Sequence, residues 1–353
     1  MKRKTLALIA AAILFSSLIA FSILIFTQPD DPIVITADGN VEGTHKIQRS
    51  GDLFTLTGNI ETPHHGGAAI TILRDNITMD GNGFSITNNA GTMVGIALKG
   101  RTEVIIKNTR VENFNEGILI TNSTRIEIYN CSIRSCGAAG ISIGLTQTST
   151  ALTISHNNIT ENQQGIQLIG TYDSDFTNNY IAANNPGINM MGSHNNTITQ
   201  NLFYGNTQGA VRTSGATNNT ICQNSFVNNT ASGIQVSNPW LVMYSTEANL
   251  WDNGFEGNYW SDFKHRYPNA SEVSGTGIWD TNYHINEKNI DHYPLVNPYS
   301  SELGMQKEQG LIFDWKIIVP IAIILASILI ITAIYLIKKG NSKGSIKKEK
   351  KGL

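Results

Sequence analysis

The sequence predicts an all-β fold, a right-handed parallel β-helix, and three observations indicate it. A phrase of one glycine followed by apolar residues recurs at a near-constant period, which is typical of repeat architectures. Each period contains three apolar stretches that are too short for helices and rich in Ile, Val and Thr, as strands are. Asn and Gly, which tolerate the left-handed turn conformation, separate these stretches. The phrase begins, at steps of 22 to 25 residues, at Gly95, Gly117, Gly140, Gly165, Gly187, Gly209 and Gly233.

Two asparagines recur at fixed places in each period. In one period they are Asn157 and Asn162, and in the next they are Asn179 and Asn184. Because successive coils stack at about 4.8 Å, we expect two ladders in which each amide bonds the coil above and the coil below. Such bonds satisfy turn groups whose burial is otherwise costly. A leucine-rich repeat is disfavoured, since the Leu-x-x-Leu-x-Leu pattern and a helical segment are missing.

Four further stretches resemble the NosD-type β-helix proteins, in particular archaeal surface members of that family. They are Ala37–Thr44, Arg74–Gly83, Trp251–Asp262 and Asp291–Leu295. The resemblance covers residues 33–298. It implies the β-helix fold, a relationship to carbohydrate-binding and sugar-hydrolase β-helices and, from the family name, copper handling.

Two uncharged apolar runs frame the predicted β-helix. Leu6–Phe26 is longer than the ~7–15 residues of a signal-peptide core, so a cleaved signal and an uncleaved anchor both stay open. Ile317–Ile337 is long enough to span a bilayer, with a buried core helix as the alternative. The predicted segments are a signal peptide or anchor (1–27), the β-helix (28–237), an aromatic-rich cap (238–298), a stalk (299–316), a transmembrane helix (317–337) and a basic cytoplasmic tail (338–353).

The formal net charge of -2 conceals an asymmetry. Ten of the 25 basic residues but one of the 27 acidic residues lie in the two terminal segments, so 15 basic and 26 acidic residues leave the middle near -11. Basic flanks favour the cytoplasmic side of a membrane. We therefore expect a protein of the cell membrane, with a single or double anchor, whose β-helix faces the cell exterior. Nucleic-acid binding, which needs a basic surface, is disfavoured.

Both ends of a stack of strands need covering, because their edges are unpaired. The segments Ile33–Thr36, Lys46–Gln48 and Leu53–Thr57 are predicted to start the stack and cover its open end. After Val236 the repeat stops, and four of the five tryptophans lie between 240 and 279. This predicts an aromatic C-terminal cap, and a ligand site built on the same aromatics is the alternative.

The cysteines are predicted to be unpaired. Cys131 and Cys136 take the ladder positions of Asn157 and Asn162 in the next coil. Five residues of strand separate the two by roughly 16 Å, beyond the ~7 Å between Cα atoms that a disulfide allows. Cys222 lies four coils away, so all three are expected to be small buried apolar residues.

Polysaccharide-cleaving β-helices need several carboxylates on one face. Alignment of the coils places Asp173 and Asp175 together, with Ala, Asn and Thr as their neighbours in adjacent coils. A polar turn is the simpler interpretation, and a polysaccharide lyase or hydrolase is an alternative. We assign no catalytic residue, and an enzyme is the less favoured class.

One column of residues, the position after each Gly-Ile pair, is predicted to face outward. Gln167 and Asn189 are expected to lie side by side in it, where amides bind sugar hydroxyls or are simply solvated. With Asp173 and Asp175 they form the candidate ligand-binding set. The column is predicted to contain Ala97, Leu119, Ser142, Gln167, Asn189, Val211 and Gln235.

Metal ligands are sparse. Cu(I) prefers sulfur and imidazole ligands, and the candidates are His64–His65 and Met190–Met191 with His194. Met190 takes an inward position, which favours a core residue. The run Glu272–Asp280, which resembles a calcium-like acidic run of the family, lacks most oxygen ligands. No cofactor is predicted, with copper and calcium as alternatives, and Asp280, Asp291 and His292 are expected to bond within the cap.

The sequence contains eight Asn-x-Ser/Thr sequons, of which many arise by chance in so asparagine-rich a chain. Asn76 and Asn269 lie off the predicted ladders and are the candidate glycan acceptors on an exterior protein. The sequons begin at Asn76, Asn122, Asn130, Asn158, Asn195, Asn218, Asn228 and Asn269.

Together these observations favour a membrane-anchored extracellular surface protein that is structural or carbohydrate-binding. Its expected partners are the membrane and either envelope polysaccharide or surface-layer proteins, and not nucleic acid. A copper-handling accessory protein and a polysaccharide-cleaving enzyme are the alternatives.

Overall fold

The computed structural model describes residues 32–62, 67–88, 94–144, 147–230 and 247–299. In them the chain winds through three nine-stranded sheets, and nearly every strand pairs in parallel with the equivalent strand of the next coil. Each coil contributes one strand to sheet A, one to sheet B and one to sheet C. The predicted parallel β-solenoid with three short strands per coil is confirmed.

The strands are short, as the sequence predicts. Sheet A contains β2 (Val41–Glu42), β1 (Ile33–Ile35), β6 (Ala68–Ile72), β9 (Val94–Lys99), β12 (Glu116–Thr121), β15 (Ala139–Ile143), β19 (Ile166–Ile169), β23 (Ile188–Met191) and β26 (Val211–Ser214). Sheet B contains β3 (Ile47–Ser50), β4 (Leu53–Leu56), β7 (Ile77–Asp80), β10 (Val104–Lys107), β13 (Glu127–Tyr129), β17 (Thr153–Ser155), β21 (Asp175–Thr177), β24 (Thr197–Thr199) and β27 (Thr220–Cys222). Sheet C contains β5 (Ile60–Thr62), β8 (Ser85–Asn88), β11 (Arg110–Glu112), β14 (Ser132–Arg134), β18 (Asn158–Thr160), β22 (Tyr180–Ala182), β25 (Leu202–Tyr204), β28 (Ser225–Val227) and β29 (Tyr259–Trp260).

Two small sheets and one short helix complete the described elements. They are the parallel pair β16 (Ser149–Thr150) and β20 (Thr171–Tyr172), the antiparallel pair β30 (Tyr283–Asn286) and β31 (Asn289–Asp291), and α1 (Phe263–Arg266).

In most three-residue strands the middle residue points into the coil, because side chains alternate along a strand. Ile154, Phe176 and Ile198 are successive middle residues of sheet B and are fully buried. Equivalent Ile, Val and Phe residues of all three sheets form one continuous core. The first strands differ: in β1 and β5 the two outer residues are buried and the middle one is not.

The predicted asparagine ladders are confirmed. The Asn157 backbone N–H and its Nδ2 both donate to Asn179 Oδ1, each at 3.0 Å. Asn179 repeats this with Asn201 Oδ1, and its Nδ2 also donates to the carbonyl of Ile154 at 2.8 Å. Each amide thus bonds the coils on both sides while fully buried. A second ladder with the same bonds runs through Asn162, Asn184, Asn206 and Asn229.

A third ladder follows the corner between sheets A and B. There the backbone N–H of each residue donates to the side-chain oxygen of the next, at 2.9 to 3.2 Å. Sequence reasoning missed it because it begins with a serine and ends beyond the regular repeat. Its members are Ser174, Asn196, Asn219, Asn249 and Asn289.

Cys131 and Cys136 extend the first two ladders, as expected. Their backbone N–H groups donate to the Oδ1 atoms of Asn157 and Asn162 at 2.9 and 3.0 Å. Both thiols are free and buried, and burial raises the pKa of each to about 12. Cys222 is also free and buried.

The left-handed corners lie one residue earlier than the ladders. Asn178, immediately before the ladder residue Asn179, has φ 55°, and the same corner in the preceding coil is His156 with φ 57°. Ala183 and Glu161 occupy another such corner. The ladder asparagines therefore do not occupy the left-handed corners, and their side chains bond between coils.

The glycine of the repeated phrase is needed for close approach and not for a turn. A Cβ on Gly117 would lie 2.5 Å from the carbonyl oxygen of Gly140 in the next coil, and a Cβ on Gly187 equally close to that of Ala210. Glycine lets the backbones of sheet A meet at the corner. The second contact also shows that Ala210, and not Gly209, is equivalent to Gly187.

The N-terminal edge is covered as predicted. Strand β2 pairs antiparallel with β1, and β3 pairs antiparallel with β4, so two sheets end on reversed strands. Among the described residues no helix is long and apolar enough to cross a membrane. The predicted segments 1–27, 317–337 and 338–353 lie outside the described residues, as does nearly all of the stalk at 299–316.

We expect Asn179→Ala to lower the free energy of unfolding by at least about 2 kcal/mol, because it leaves buried backbone groups in two coils without partners. Urea unfolding of the purified protein measures this. Asn178→Gly is the matched control at the adjacent corner, where glycine adopts φ 55° without strain, and should change stability by less than about 0.5 kcal/mol. Equal losses in the two variants would contradict the ladder's role.

Candidate functional site

An outward row of polar side chains crosses the later coils of sheet A. Gln167 of β19 pairs with Asn189 of β23, which pairs with Arg212 of β26. The preceding position is Ser142 of β15, which is fully buried. The three partly exposed members therefore succeed one another at about 4.8 Å, the spacing of neighbouring strands.

Hydrogen bonds between side chains fix the orientation of these amides. Gln164 Oε1 accepts from Asn189 Nδ2 at 2.8 Å and, over a longer 3.5 Å, from Gln167 Nε2. Ser142 Oγ donates to Gln167 Oε1 at 3.3 Å. We call Gln164, Gln167 and Asn189 the amide cluster.

The prediction of Val211 in this row is wrong. Val211 pairs with Ile188 and is fully buried, while Arg212 pairs with Asn189 and is partly exposed. The step from Gly187 to the equivalent residue of the next coil is 23 residues and not 22, because Ala210 takes the glycine position. The one-residue shift exchanges an apolar side chain for a guanidinium, whose Nη1 donates to Gln208 Oε1 at 3.2 Å.

Asp173 and Asp175 lie elsewhere. Asp173 occupies a left-handed corner with φ 50°, and Asp175 faces outward on sheet B between Thr153 and Thr197. Both are exposed. The four candidate ligand residues thus form two pairs on different sheets and not one constellation.

Sequence reasoning missed a shallow groove of about 600 Å³ on the outer face of sheet B. Its charged side chains are held in ion pairs between neighbouring coils: Asp52 with Arg74 at 2.9 Å and Glu103 with Arg125 at 2.7 Å. A third pair joins Lys107 to Asp80 at 3.5 Å. The lining has no sequence motif, because it comes from three coils. It consists of Ser50, Asp52, Leu53, Asn76, Ile77, Thr78, Glu103, Ile105 and Lys107.

The aromatics near the C-terminal end pack on each other. Trp260 stacks on Tyr283 with ring centroids 4.0 Å apart and on Phe226 at 4.6 Å. Trp251 and Phe263 are also buried. These enclosed rings continue the core of the coil, whereas Trp279 is partly exposed and Trp240 lies outside the described residues.

Asp291 ends the first ladder, which continues from Asn224 to Asn258. Its carboxylate accepts from the Asn258 backbone N–H at 2.7 Å and from Trp260 Nε1 at 2.8 Å, and its other oxygen accepts from the Tyr293 N–H at 3.0 Å. These donors favour the ionised form, but burial outweighs them and raises the pKa of Asp291 to about 7. His292, its neighbour, bonds Asp252 at 2.9 Å, so both residues bond within the cap as predicted.

Metal ligands do not converge. Among the described residues no group of three or more His, Cys, Asp or Glu could hold a metal ion. Met190 is buried, Met191 is 37% exposed, and His194 Nδ1 accepts from the Thr217 N–H at 3.1 Å. His64 and His65 lie outside the described residues. In the calcium-like run, Glu272 accepts from the Gly277 N–H and Asp280 from the Ser271 N–H.

The sequons follow from the fold. Asn76, a candidate acceptor, is exposed at a left-handed corner, and Thr78 then takes an outward strand position. Corners favour Asn and outward strand positions favour Thr, so the fold itself generates the motif. Asn269 is exposed as well. Five more sequon asparagines lie at left-handed corners, so a position off the ladders does not distinguish Asn76 from them. They are Asn122, Asn130, Asn195, Asn218 and Asn228.

One family model matches more than half of this chain. The family model described as periplasmic copper-binding protein (NosD) matches residues 72–265. No curated protein sequence matches this chain at a significant level.

Among solved structures, the periplasmic alginate epimerase AlgG is 15% identical, with a TM-score of 0.41, over 52% of this chain and 46% of that one. The DFA-IIIase from Arthrobacter chlorophenolicus A6 is 13% identical, with a TM-score of 0.35, over 46% and 47%. An alginate lyase from Paenibacillus sp. str. FPU-7 is 18% identical, with a TM-score of 0.35, over 53% and 75%. The chain thus spans about half the length of the first two structures. Such low similarity says nothing about ligand or reaction.

The raised pKa of Asp291 predicts a pH-dependent stability. A carboxyl whose pKa is higher in the folded than in the unfolded state contributes its full stabilisation below the unfolded pKa, here 3.8. This stabilisation is lost as the pH rises through the folded pKa of about 7. The free energy of unfolding of the wild type should therefore fall by a few kcal/mol relative to that of Asp291→Asn between these two pH values, and the difference should level off above pH 7. Thermal unfolding of both proteins across this range measures it. Parallel pH profiles would show that Asp291 does not titrate there.

Proposed function

The chain belongs to the NosD family of β-helix proteins, and from this membership and the amide cluster we propose a non-catalytic, carbohydrate-binding protein of the cell exterior. The ligand is an envelope polysaccharide, and the binding surface is the outer face of sheet A. A structural role is compatible with the same surface, because binding of an envelope polysaccharide would hold the protein in the envelope.

The observation that carries the proposal is the hydrogen-bonded amide cluster. A primary amide offers both donors and an acceptor, as sugar hydroxyls do. The mutual bonds of Gln164, Gln167 and Asn189 hold these groups before a ligand arrives. Binding then loses less side-chain freedom, a cost of about 0.5–1.5 kcal/mol for each side chain that must be immobilised. The repeat along the coil axis suits a ligand that is itself a repeating polymer.

The exterior location is part of the proposal. A family described as periplasmic is consistent with a chain outside the cytoplasm, and Ile317–Ile337 is proposed to anchor it with the basic tail inside. Some exposed sequon asparagines then become glycan acceptors, with Asn76 and Asn269 as candidates.

The location predicts that protease added to intact cells removes the β-helix and leaves the tail of residues 338–353 inside. Antibodies against an epitope fused to either end, used with a cytoplasmic marker protein as control, measure this. Survival of the β-helix in intact cells but not in lysed cells would contradict the location.

The copper alternative is favoured by the family description alone. It requires Cu(I) that stays with the purified protein through dialysis and is lost in a His64→Ala, His65→Ala variant. The enzyme alternative requires release of reducing or unsaturated sugars that stops in an Asp173→Ala, Asp175→Ala variant. Either result would replace the present proposal.

We expect the full-length protein in detergent to bind polysaccharides on a glycan array and the double variant Gln167→Ala, Asn189→Ala to bind them on the order of tenfold more weakly, since two or more ligand hydrogen bonds are lost. The fold should persist, because both side chains are outward. The array, followed by calorimetric titration with the best polymer, measures the loss.

The matched control is Thr177→Ala, Thr199→Ala, which truncates two neighbouring outward positions of sheet B. It should leave binding unchanged. Similar losses in both double variants, or a loss confined to Glu103→Gln in the groove of sheet B, would place the ligand away from the amide cluster.

A further inference from the structure

The outer face of sheet C changes in character along the coil axis. In the earlier coils its outward positions include Arg110, Glu112 and Arg134. In the later coils, strands β22, β25, β28 and β29 contain no Asp, Glu, Lys or Arg. Four outward side chains of these later strands are apolar or aromatic, and we call them the apolar face. They are Tyr180, Leu202, Tyr204 and Val227.

The four side chains of the apolar face are neighbours on successive strands. Tyr180 pairs with Leu202, and Tyr204, two residues after Leu202, pairs with Val227. Paired residues of adjacent strands lie about 4.8 Å apart, so the side chains form one patch. Tyr204 is 46% exposed, and the other three are partly exposed. Contiguous exposed apolar surface is typical of a contact with a membrane or another protein.

The last described residue of the chain, Tyr299, lies beside this face. Gln200 Nε2 donates to Tyr299 Oη at 2.7 Å, and Ser225 Oγ donates to the Tyr299 carbonyl at 3.3 Å. Both donors flank the apolar face, one before β25 and one on β28. Only residues 300–316 then precede the apolar run Ile317–Ile337. Linkage through one chain raises the effective concentration of two sites, to the order of millimolar for short linkers, so a weak affinity of the face for the bilayer is enough.

From these observations we infer that the apolar face of sheet C lies on the lipid bilayer that the chain's own anchor enters, with its tyrosine rings at the level of the headgroups. A tyrosine ring is apolar and its hydroxyl is polar, which suits the boundary between hydrocarbon and water. The inference rests on the membrane anchor of the proposed function. It adds an orientation, in which sheet C meets the lipid and the amide cluster of sheet A is free to bind polysaccharide.

The test measures the surroundings of a nitroxide label at Val227→Cys in the full-length protein, reconstituted into phosphatidylcholine vesicles. The native thiols of Cys131, Cys136 and Cys222 are buried, and burial raises their pKa values to about 12, 12 and 11, so the label reacts selectively with the introduced thiol. Oxygen concentrates in lipid and a nickel chelate stays in water, and electron paramagnetic resonance measures the collisions of each with the label. We expect a high ratio of oxygen access to nickel access.

Matched variants test which side chains make the contact. A label at Thr177→Cys, an outward position of sheet B, should show a low ratio in the same vesicles. Addition of Leu202→Thr and Tyr204→Thr to the protein labelled at Val227→Cys should lower the ratio to that control value, because threonine keeps the strand propensity and removes the apolar side chains. Leu250→Thr, which truncates a leucine bridged to sheet B and 56% exposed, should leave the ratio unchanged.

The possible results separate this inference from the proposed function. Equal nickel access at Val227→Cys and Thr177→Cys, or a high ratio that survives Leu202→Thr and Tyr204→Thr, would overturn the inference and leave the anchor and the carbohydrate site standing. Low access of both reagents would also overturn it, because a second copy of the chain or residues 300–316 would then cover the face. A protein that does not float with the vesicles would end the proposed anchor as well. Where the double substitution lowers the melting temperature, Tyr204→Thr alone, at the most exposed position, provides the same comparison.

Discussion

The fold depends on hydrogen bonds between asparagine side chains and the backbone of the neighbouring coil. A β-helix turns its chain several times in every coil, and each corner removes backbone groups from the sheet ladders. Asn179 shows how these groups are satisfied: its amide accepts from one coil and donates to a carbonyl of the same coil and to the next asparagine. Because the amide is buried, the cost of losing one bond is the desolvation of the unpaired groups. The ladder bonds thereby fix the register in which the apolar columns meet.

Every ladder must stop, and its last member has no further coil to bond. The first ladder ends on Asp291, whose carboxylate has no amide hydrogens that need an acceptor. Asn258, Trp260 and Tyr293 all donate to it. The third ladder ends on Asn289, whose oxygen accepts from Asn249 and Trp251 and whose nitrogen donates to Glu247 and Asn286. The buried tryptophans are therefore hydrogen-bond donors to the ladder ends as well as apolar cover.

The sequence predicts those features that one residue type encodes at a constant spacing. The asparagine columns, the inward Ile and Phe residues and the buried Cys131 are of this kind. The left-handed corners are not, because residues as different as Ala183, Glu161 and His156 adopt the conformation, each with its own backbone N–H bonded to the next coil. The groove of sheet B has no signal either, since its walls come from three successive coils and share no motif. The register of the later coils is the remaining difficulty. Gly209 lies at the spacing of the repeat glycine, and only the close approach of Gly187 to Ala210 shows that Ala210 is its equivalent.

That one-residue difference in register decides which side chain joins the outer row of sheet A. Inward positions are constrained by packing and ladder positions by hydrogen bonds, so chemical variety is confined to the outward positions of each strand. In the later coils those positions include the hydroxyls of Thr177 and Thr199, the amides of Gln167 and Asn189 and the carboxylate of Asp175. With Val211 after Asn189, the row of sheet A would continue with an apolar side chain. With Arg212 there, a guanidinium follows the two amides, and its place in the row is a consequence of the register.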